Sequence, residues 1–295
     1  MISGRSGAGC PRPLGLARSS TVPPEGFEER DDLRSDFTRK LIEQQIAGTD
    51  RRGLDASLNE TIPFHLIQYW HDQTSVPEDV SACLSSWRRL GSEGFRFSMF
   101  NDESAAAYIE RNYGSAEQAA FARCHHPAMR CDYLRMCVLI AEGGLYVDAD
   151  DVLHGDGWRG LFQDRTLKVQ PLCYDLRTRS MVLADEIWRT DCRTSDRIFY
   201  VNNDPIASPS EHPLLCRALS RATARLIGTQ ERLEIQSTTG PGNLTAALAA
   251  HSRSLLLEDR ELDFKLLPDW ESIAETRWEL SYRKDERNWR NVNPF

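Results

Sequence analysis

Apolar positions along this chain switch between two spacings, and the switches mark out its elements. IPFHLIQYW, residues 62–70, is a β-branched and aromatic run whose length predicts a buried first strand. VPEDVSACLSSWRRL then sets Val80, Leu84 and Trp87 on one face, with Pro77 near its start, and predicts a helix. FRFSMFND, 95–102, alternates as a second strand, with Phe95, Phe97 and Met99 on one side and Asn101-Asp102 as its exit turn. A helix follows from Glu103 to about Tyr113. The clearest helix is HPAMRCDYLRMCVLIAEGG. Pro127 suits its first turn, Met129, Tyr133, Met136 and Ile140 recur on one face, and Gly143-Gly144 stops it. LYV, directly after, is short and β-prone and predicts a strand. Further strands are predicted at 167–176, 197–203 and 263–268, and helices at about 212–227 and 241–250.

Strand, helix, strand, helix, strand is the rhythm of an α/β sheet, and ligands of such sheets gather beyond the carboxyl ends of the strands. In this chain that position is occupied by EGGLYVDADD, which places Asp148, Asp150 and Asp151 within four positions. Carboxylates so close repel one another, so some cation or solvent must make the cluster tolerable. Ahead of the sheet, residues 1–26 are rich in Gly, Pro and Ser, carry arginines without acids through residue 24, and predict a disordered leader. Residues 27–60 predict a charged helical extension, with Phe37, Leu41 and Ile42 at helical spacing, solvated and preceding the body. The body itself, 61–295, contains no evident linker or repeat and is expected to be one domain.

Composition narrows the function. Lys plus Arg total 36 against 44 Asp plus Glu, a formal net charge of -8, which argues against nonspecific nucleic-acid binding. No apolar run approaches the roughly 18 to 20 residues that span a bilayer; the best is CVLIA at 137–141. Eight cysteines stand without a CxxC pair, mostly beside apolar residues, as free thiols in a reducing, cytoplasmic setting do; an effector delivered elsewhere fits equally. Cys124, His125, His126 and Cys131 fall close together, but adjacent histidines project apart and no second ligand pair follows, so zinc is not expected.

If the acidic turn continues the strand, side chains alternate, so Asp148 and Asp150 point the same way about 7 Å apart, Ala149 points inward and Asp151 faces away. Two carboxylates on one side can share Mg²⁺ or Mn²⁺, ions that keep waters and complete their shell with phosphates. Acidic runs commonly decorate exposed loops. This one follows Gly-Gly and a short strand, behind a helix with Asp132 and Arg135 three residues apart.

The stretch AMRCDYLRMCVLIAEGGLYVDADDV resembles the DXD-containing glycosyltransferase family, whose members include fungal mannosyltransferases, bacterial capsule and lipopolysaccharide transferases, and clostridial glucosylating toxins. The positions that carry the resemblance are Ala128, Cys131-Asp132, Arg135, Gly143-Gly144, Tyr146, Asp148 and Asp150. IPFHLIQYW is similar to the family's opening strand at Ile62, Pro63, Gln68 and Trp70; Ile67 stands where the family has histidine, and His65 lies two positions earlier. NDPIASPSEHPLL resembles the later asparagine block through Asn203 and His212-Pro213, and STTGPGNLT the Thr-Gly-Pro turn at Thr239, Gly240 and Pro241. The resemblance spans about residues 61 to 245.

It implies a GT-A, Rossmann-like nucleotide-sugar-binding sheet flanked by helices. It also implies transfer of a hexose from a UDP- or GDP-sugar, with retention, to a glycan, lipid or protein acceptor. Asp150 would bind Mn²⁺ or Mg²⁺ directly and Asp148 through water while contacting the ribose; Asp132 and Arg135 would hold the donor sugar. Trp70 would lie near the base, with Tyr146 and Asn203 on the substrate side. The sequence departs from the family after His251, where no histidine follows and Trp270, Trp278 and Trp289 have no clear equivalent, so no third metal ligand is assigned. Two other readings compete. A haloacid-dehalogenase-like phosphatase also uses a DxD, but on its first strand; a degenerate glycosyltransferase would bind nucleotide sugar or a partner without turnover.

Overall fold

The computed structural model describes residues 22–49, 61–187, 195–229, 231–267 and 269–292. Nearly all of the leader expected over 1–26, part of the extension to residue 60, and Cys10 and Cys192 lie outside them. The chain enters through a short 3₁₀ turn, Phe27–Glu29, and α1 (Asp31–Thr49). It continues through β1 (His65–Tyr69), α2 (Glu78–Trp87), β2 (Arg96–Phe100), α3 (Asp102–Asn112), α4 (Ser115–Ala122), α5 (Pro127–Glu142) and β3 (Gly144–Tyr146). After the acidic turn come β4 (Asp151–Leu153), β5 (Leu167–Asp175), β6 (Ser180–Met181), β7 (Arg197–Ser208), α6 (Pro213–Gly228), α7 (Ile235–Thr238) and α8 (Pro241–Leu257). The last elements are β8 (Phe264–Leu266), β9 (Ala274–Thr276) and α9 (Trp289–Val292).

The principal sheet runs β2-β1-β3-β7-β5-β6, with β8 also paired to β5; β4 and β9 form a separate two-stranded ribbon. β1 is parallel to β2 and β3, and β8 is parallel to β5, whereas β7 runs antiparallel to both β3 and β5. This is the mixed α/β architecture expected from the pattern, helices packed on a central sheet. β2 is an edge strand, which explains why its residues are only half-buried despite their apolar character.

Two local features set the turn in place. α5 is buried without interruption from Cys131 to Leu139, so a helix read as one-faced is in fact the central helix, walled on nearly every side. His126 starts it, its Nδ1 accepting the Ala128 N–H at 3.1 Å while Nε2 reaches the Glu286 carbonyl at 3.1 Å. Cys131 lies 2.7 Å from the Tyr146 hydroxyl, so His126 caps the helix and Cys131 packs within it. At the other end Gly143 and Gly144 have φ of +65° and +125°, backbone shapes that side chains rarely adopt.

α1 corrects the expectation of a solvated extension. Phe37, Leu41 and Ile42 are buried in the same apolar cluster as Tyr133, Phe199 and Leu248, because these apolar residues fall on one stripe of the charged helix. Its polar face is covered by ion pairs such as Arg39 with Asp36 and Glu43.

The glycine pair is what brings β3 against β1. A Cβ on Gly144 would lie 2.4 Å from the His65 carbonyl oxygen. Gly144→Ala is therefore expected to destabilise the protein by about 3 kcal/mol or more in urea denaturation. Gly155→Ala, where a Cβ meets nothing within 4 Å, is expected to stay within about 0.5 kcal/mol of wild type.

Candidate active site

Asp132 and Arg135, one helical turn apart on α5, emerge at the carboxyl end of β3. Their ion pair measures 2.9 Å, and the same guanidinium reaches Oδ1 of Asp148 at 3.1 Å. Arg135 also donates to the Asn203 carbonyl at 2.5 Å and lies 4.1 Å over the Tyr146 ring. Asp132 has both oxygens engaged: Asn203 Nδ2 donates to one at 2.7 Å and the Thr239 hydroxyl to the other at 3.1 Å. The helix, the acidic turn, the asparagine block and the Thr-Gly-Pro turn, far apart in sequence, thus meet on one ion pair.

β3 ends at Tyr146, and residues 149–150 form a turn, closed by a 3.3 Å hydrogen bond from the Asp151 N–H to the Asp148 carbonyl. Strand alternation therefore does not run through the motif as expected; the chain turns there because it leaves β1 and β7 to pair as β4 with β9. Asp148 and Asp150 nevertheless line one cleft of about 630 Å³, together with Trp70, Asp132, Arg135 and Asn203. Asp148 takes the Tyr146 hydroxyl at 2.7 Å, and its backbone N–H donates to Asp204 at 2.9 Å. Asp150 receives Tyr282 at 2.6 Å and Arg283, both on Oδ2. Ala149 points away into a small apolar cluster with Trp70, Val80, Cys83 and Leu280.

Tyr146, expected beside substrate, is fully buried and absent from the cleft wall; it acts through Asp148, because Cys131 and Arg135 enclose its ring. Trp70 is 7% exposed, packs edge-on to Tyr282 at 5.3 Å, and has a buried indole N–H with no acceptor. Asp151 faces away from the cleft but is not idle. It is fully buried and accepts the Thr276 hydroxyl at 2.7 Å, while its other oxygen is buried without a hydrogen-bond partner. A carboxylate oxygen buried without a donor is favourable only when the group carries a proton.

Burial pushes the Asp132 carboxyl up to about 6, against the pull of Arg135. Asp150 is raised as well, by burial and by Asp148, with Arg283 and Tyr282 opposing. Burial and Asp150 push Asp151 up to about 8, and burial with Asp148 and Asp151 raises Asp204 further. Arg135 stays firmly charged: burial disfavours its charge, but Asp148, Asp132 and the other groups around it together outweigh that penalty.

The donor set suits a hard divalent ion. Asp148 and Asp150 each have one oxygen outside the hydrogen bonds just described, and Mg²⁺ or Mn²⁺ is commonly held by one or two carboxylates plus waters and phosphates. No group of three or more His, Cys, Asp or Glu is arranged to hold a metal among the described residues, so the protein alone offers a partial shell.

Comparison with known proteins bears on this geometry. Residues 77–157 match the family model described as glycosyltransferase sugar-binding region containing DXD motif. Over this segment the chain is similar to the DXD glycosyltransferases. That segment holds Asp132, Arg135, Asp148 and Asp150, and the mixed sheet with the motif beyond β3 is consistent with a GT-A fold. Because the DXD follows β3 and not the first strand, the phosphatase alternative falls away. No curated protein matches. A solved structure called PaToxG Glycosyltransferase aligns with a TM-score of 0.45 at 16% identity, over 78% of this chain and 86% of that chain.

Reasoning from the sequence passed over Asp204, Thr276, Tyr282 and Arg283. Asp204 directly follows Asn203 and was legible as part of that block; the others come from a tail whose aromatic and basic residues form no recognisable motif. A raised Asp151 pKa has a measurable consequence. A carboxyl whose pKa is higher folded than unfolded stabilises the fold at low pH, and that contribution is lost as pH rises through the folded value near 8. Asp151→Asn, isosteric with the protonated acid, is expected to raise stability by about 1–2 kcal/mol at pH 9 and change little at pH 5. Urea denaturation across that range checks this; a variant that loses stability as steeply as wild type would overturn the raised Asp151 pKa.

Proposed function

We propose that this chain transfers a hexose from a nucleotide-diphosphate sugar to a glycan, lipid or protein acceptor, with a divalent ion at the DXD turn and with retention of anomeric configuration. The observation that carries the reading is that Asp132, Arg135, Asp148, Asp150 and Asn203 border one cleft beside an indole with an unused N–H. Bound Mn²⁺ or Mg²⁺ would be held by Asp150 and Asp148 and would neutralise the departing diphosphate. The protein's own contribution is positioning. Asp132, fixed by Arg135, Asn203 and Thr239, presents a carboxylate whose remaining acceptor capacity suits sugar hydroxyls. Arg135 orients Asp148 toward the ribose side, and Tyr146 holds it from below. Trp70 offers a flat apolar face and a donor to the base. The described cysteines are all free thiols, which suits a reducing compartment such as the cytoplasm, and no described helix is long and apolar enough to cross a membrane.

A non-catalytic reading draws on one feature, the pairing of Arg283 with the carboxylate that would hold the metal. The two readings part in one assay. With UDP- and GDP-sugars and Mn²⁺, wild-type protein is expected to release nucleotide. Asp150→Ala is expected to lose at least about a hundredfold in rate, as removal of a charge-stabilising group does, and Asp132→Asn about tenfold or more. Undiminished turnover in Asp150→Ala would sink the metal assignment, and no turnover or binding with any donor would favour the non-catalytic reading.

A further inference from the structure

The segment after β9 lies along the cleft and is tied to the acidic turn. Arg277 donates its backbone N–H to the Asp150 carbonyl at 2.9 Å, and Ser281 donates to Asp79 through its backbone at 2.6 Å and its hydroxyl at 3.1 Å. Between these anchors and the His126 contact to Glu286, Tyr282 and Arg283 both reach Oδ2 of Asp150. The Arg283 side chain is 13% exposed, its Nε is buried without an acceptor, and it lies 4.4 Å from the Trp278 ring. A divalent ion on Asp150 must compete with this guanidinium for the same carboxylate. The segment also carries Arg290 into the cleft wall, its guanidinium resting 4.4 Å from Trp289 and 5.4 Å from Trp278, with no carboxylate partner among the described residues.

We propose that Arg283 is the resident cation of the DXD site, holding Asp150 until a metal-bound nucleotide diphosphate arrives, and that it then transfers its hydrogen bonds to the diphosphate oxygens. A planar guanidinium pairs with carboxylate and phosphate through the same fork, so the exchange replaces one charged pair by another. The buried Nε–H, unused at rest, is a donor available for the second partner. Arg290 adds positive charge on the same wall. The second half of this proposal rests on the nucleotide-sugar reading above; the first half concerns the metal alone.

Mn²⁺ binding without nucleotide, followed by the loss of free-ion EPR signal, tests the first half. Arg283→Gln is expected to bind Mn²⁺ about tenfold tighter than wild type, and adding Asp150→Asn to that variant is expected to abolish the gain. With Mn²⁺ saturating, calorimetry against UDP and GDP is expected to show about tenfold weaker nucleotide binding in Arg283→Gln. Opposite signs for the two ligands are the signature, since mere damage to the fold weakens both. A folded Arg283→Gln that binds Mn²⁺ no tighter than wild type overturns the resident cation; unchanged nucleotide affinity overturns the transfer. If wild type binds neither nucleotide, the donor reading fails while the Mn²⁺ arm still decides the role of Arg283. Should the variant not fold, hydrogen exchange on wild type replaces it: residues 281–284 are expected to change protection with Mn²⁺ and nucleotide together, and unchanged protection overturns the proposal.

Discussion

A guanidinium that is 3% exposed needs its hydrogen bonds fixed before the elements around it can settle, and Arg135 collects them from α5, the acidic turn and β7. Removing any one of these partners leaves a charge in a place where it is expensive. Asp132 is bound by the same logic, since its neighbours Asn203 and Thr239 are useful only while the carboxylate is held where Arg135 puts it. The ion pair is thus both the keystone of the local fold and the floor of the cleft. This coupling explains why so polar a group can sit at the head of the most buried helix of the chain.

Most of the scaffold was legible because it depends on local rules. The 3.6-residue spacing of α5, its proline start, the glycine pair and the short β-prone LYV all act within a few residues, and the observed ends of α5 and β3 follow them closely. What escaped depends on long-range pairing. β4 and β9 are three residues each and stabilise one another across more than a hundred positions, so neither has a pattern of its own. In α1 the dense charges obscure Phe37, Leu41 and Ile42, which face the core, so its pattern reads as solvated.

The candidate site divides along the same line. Asp132, Arg135, Asp148 and Asp150 stand in one short stretch, and their co-location followed from it. The groups that neutralise them do not: Arg283 lies 133 positions after Asp150, and Asp204 lies 56 after Asp148. Repulsion among the acids is relieved in three ways within the chain itself. Arg135 serves Asp132 and Asp148, Arg283 serves Asp150, and burial favours the protonated forms of Asp151 and Asp204. A clustered acidic motif is therefore not by itself a measure of negative potential; that depends on partners supplied from elsewhere in the fold.

The C-terminal segment joins the body by two kinds of contact that differ in what disturbs them. Leu280 is buried with Trp70, Val80, Cys83 and Ala149, an apolar contact indifferent to charge. Two and three residues further on, Tyr282 and Arg283 depend on hydrogen bonds to a single carboxylate, a contact that any competing cation weakens. A change at Asp150 can thus loosen the polar part of the segment while the apolar wall behind the DXD turn, and the indole of Trp70 within it, stays packed. Rigid support for the motif and a responsive contact on the motif are separated by one turn of chain.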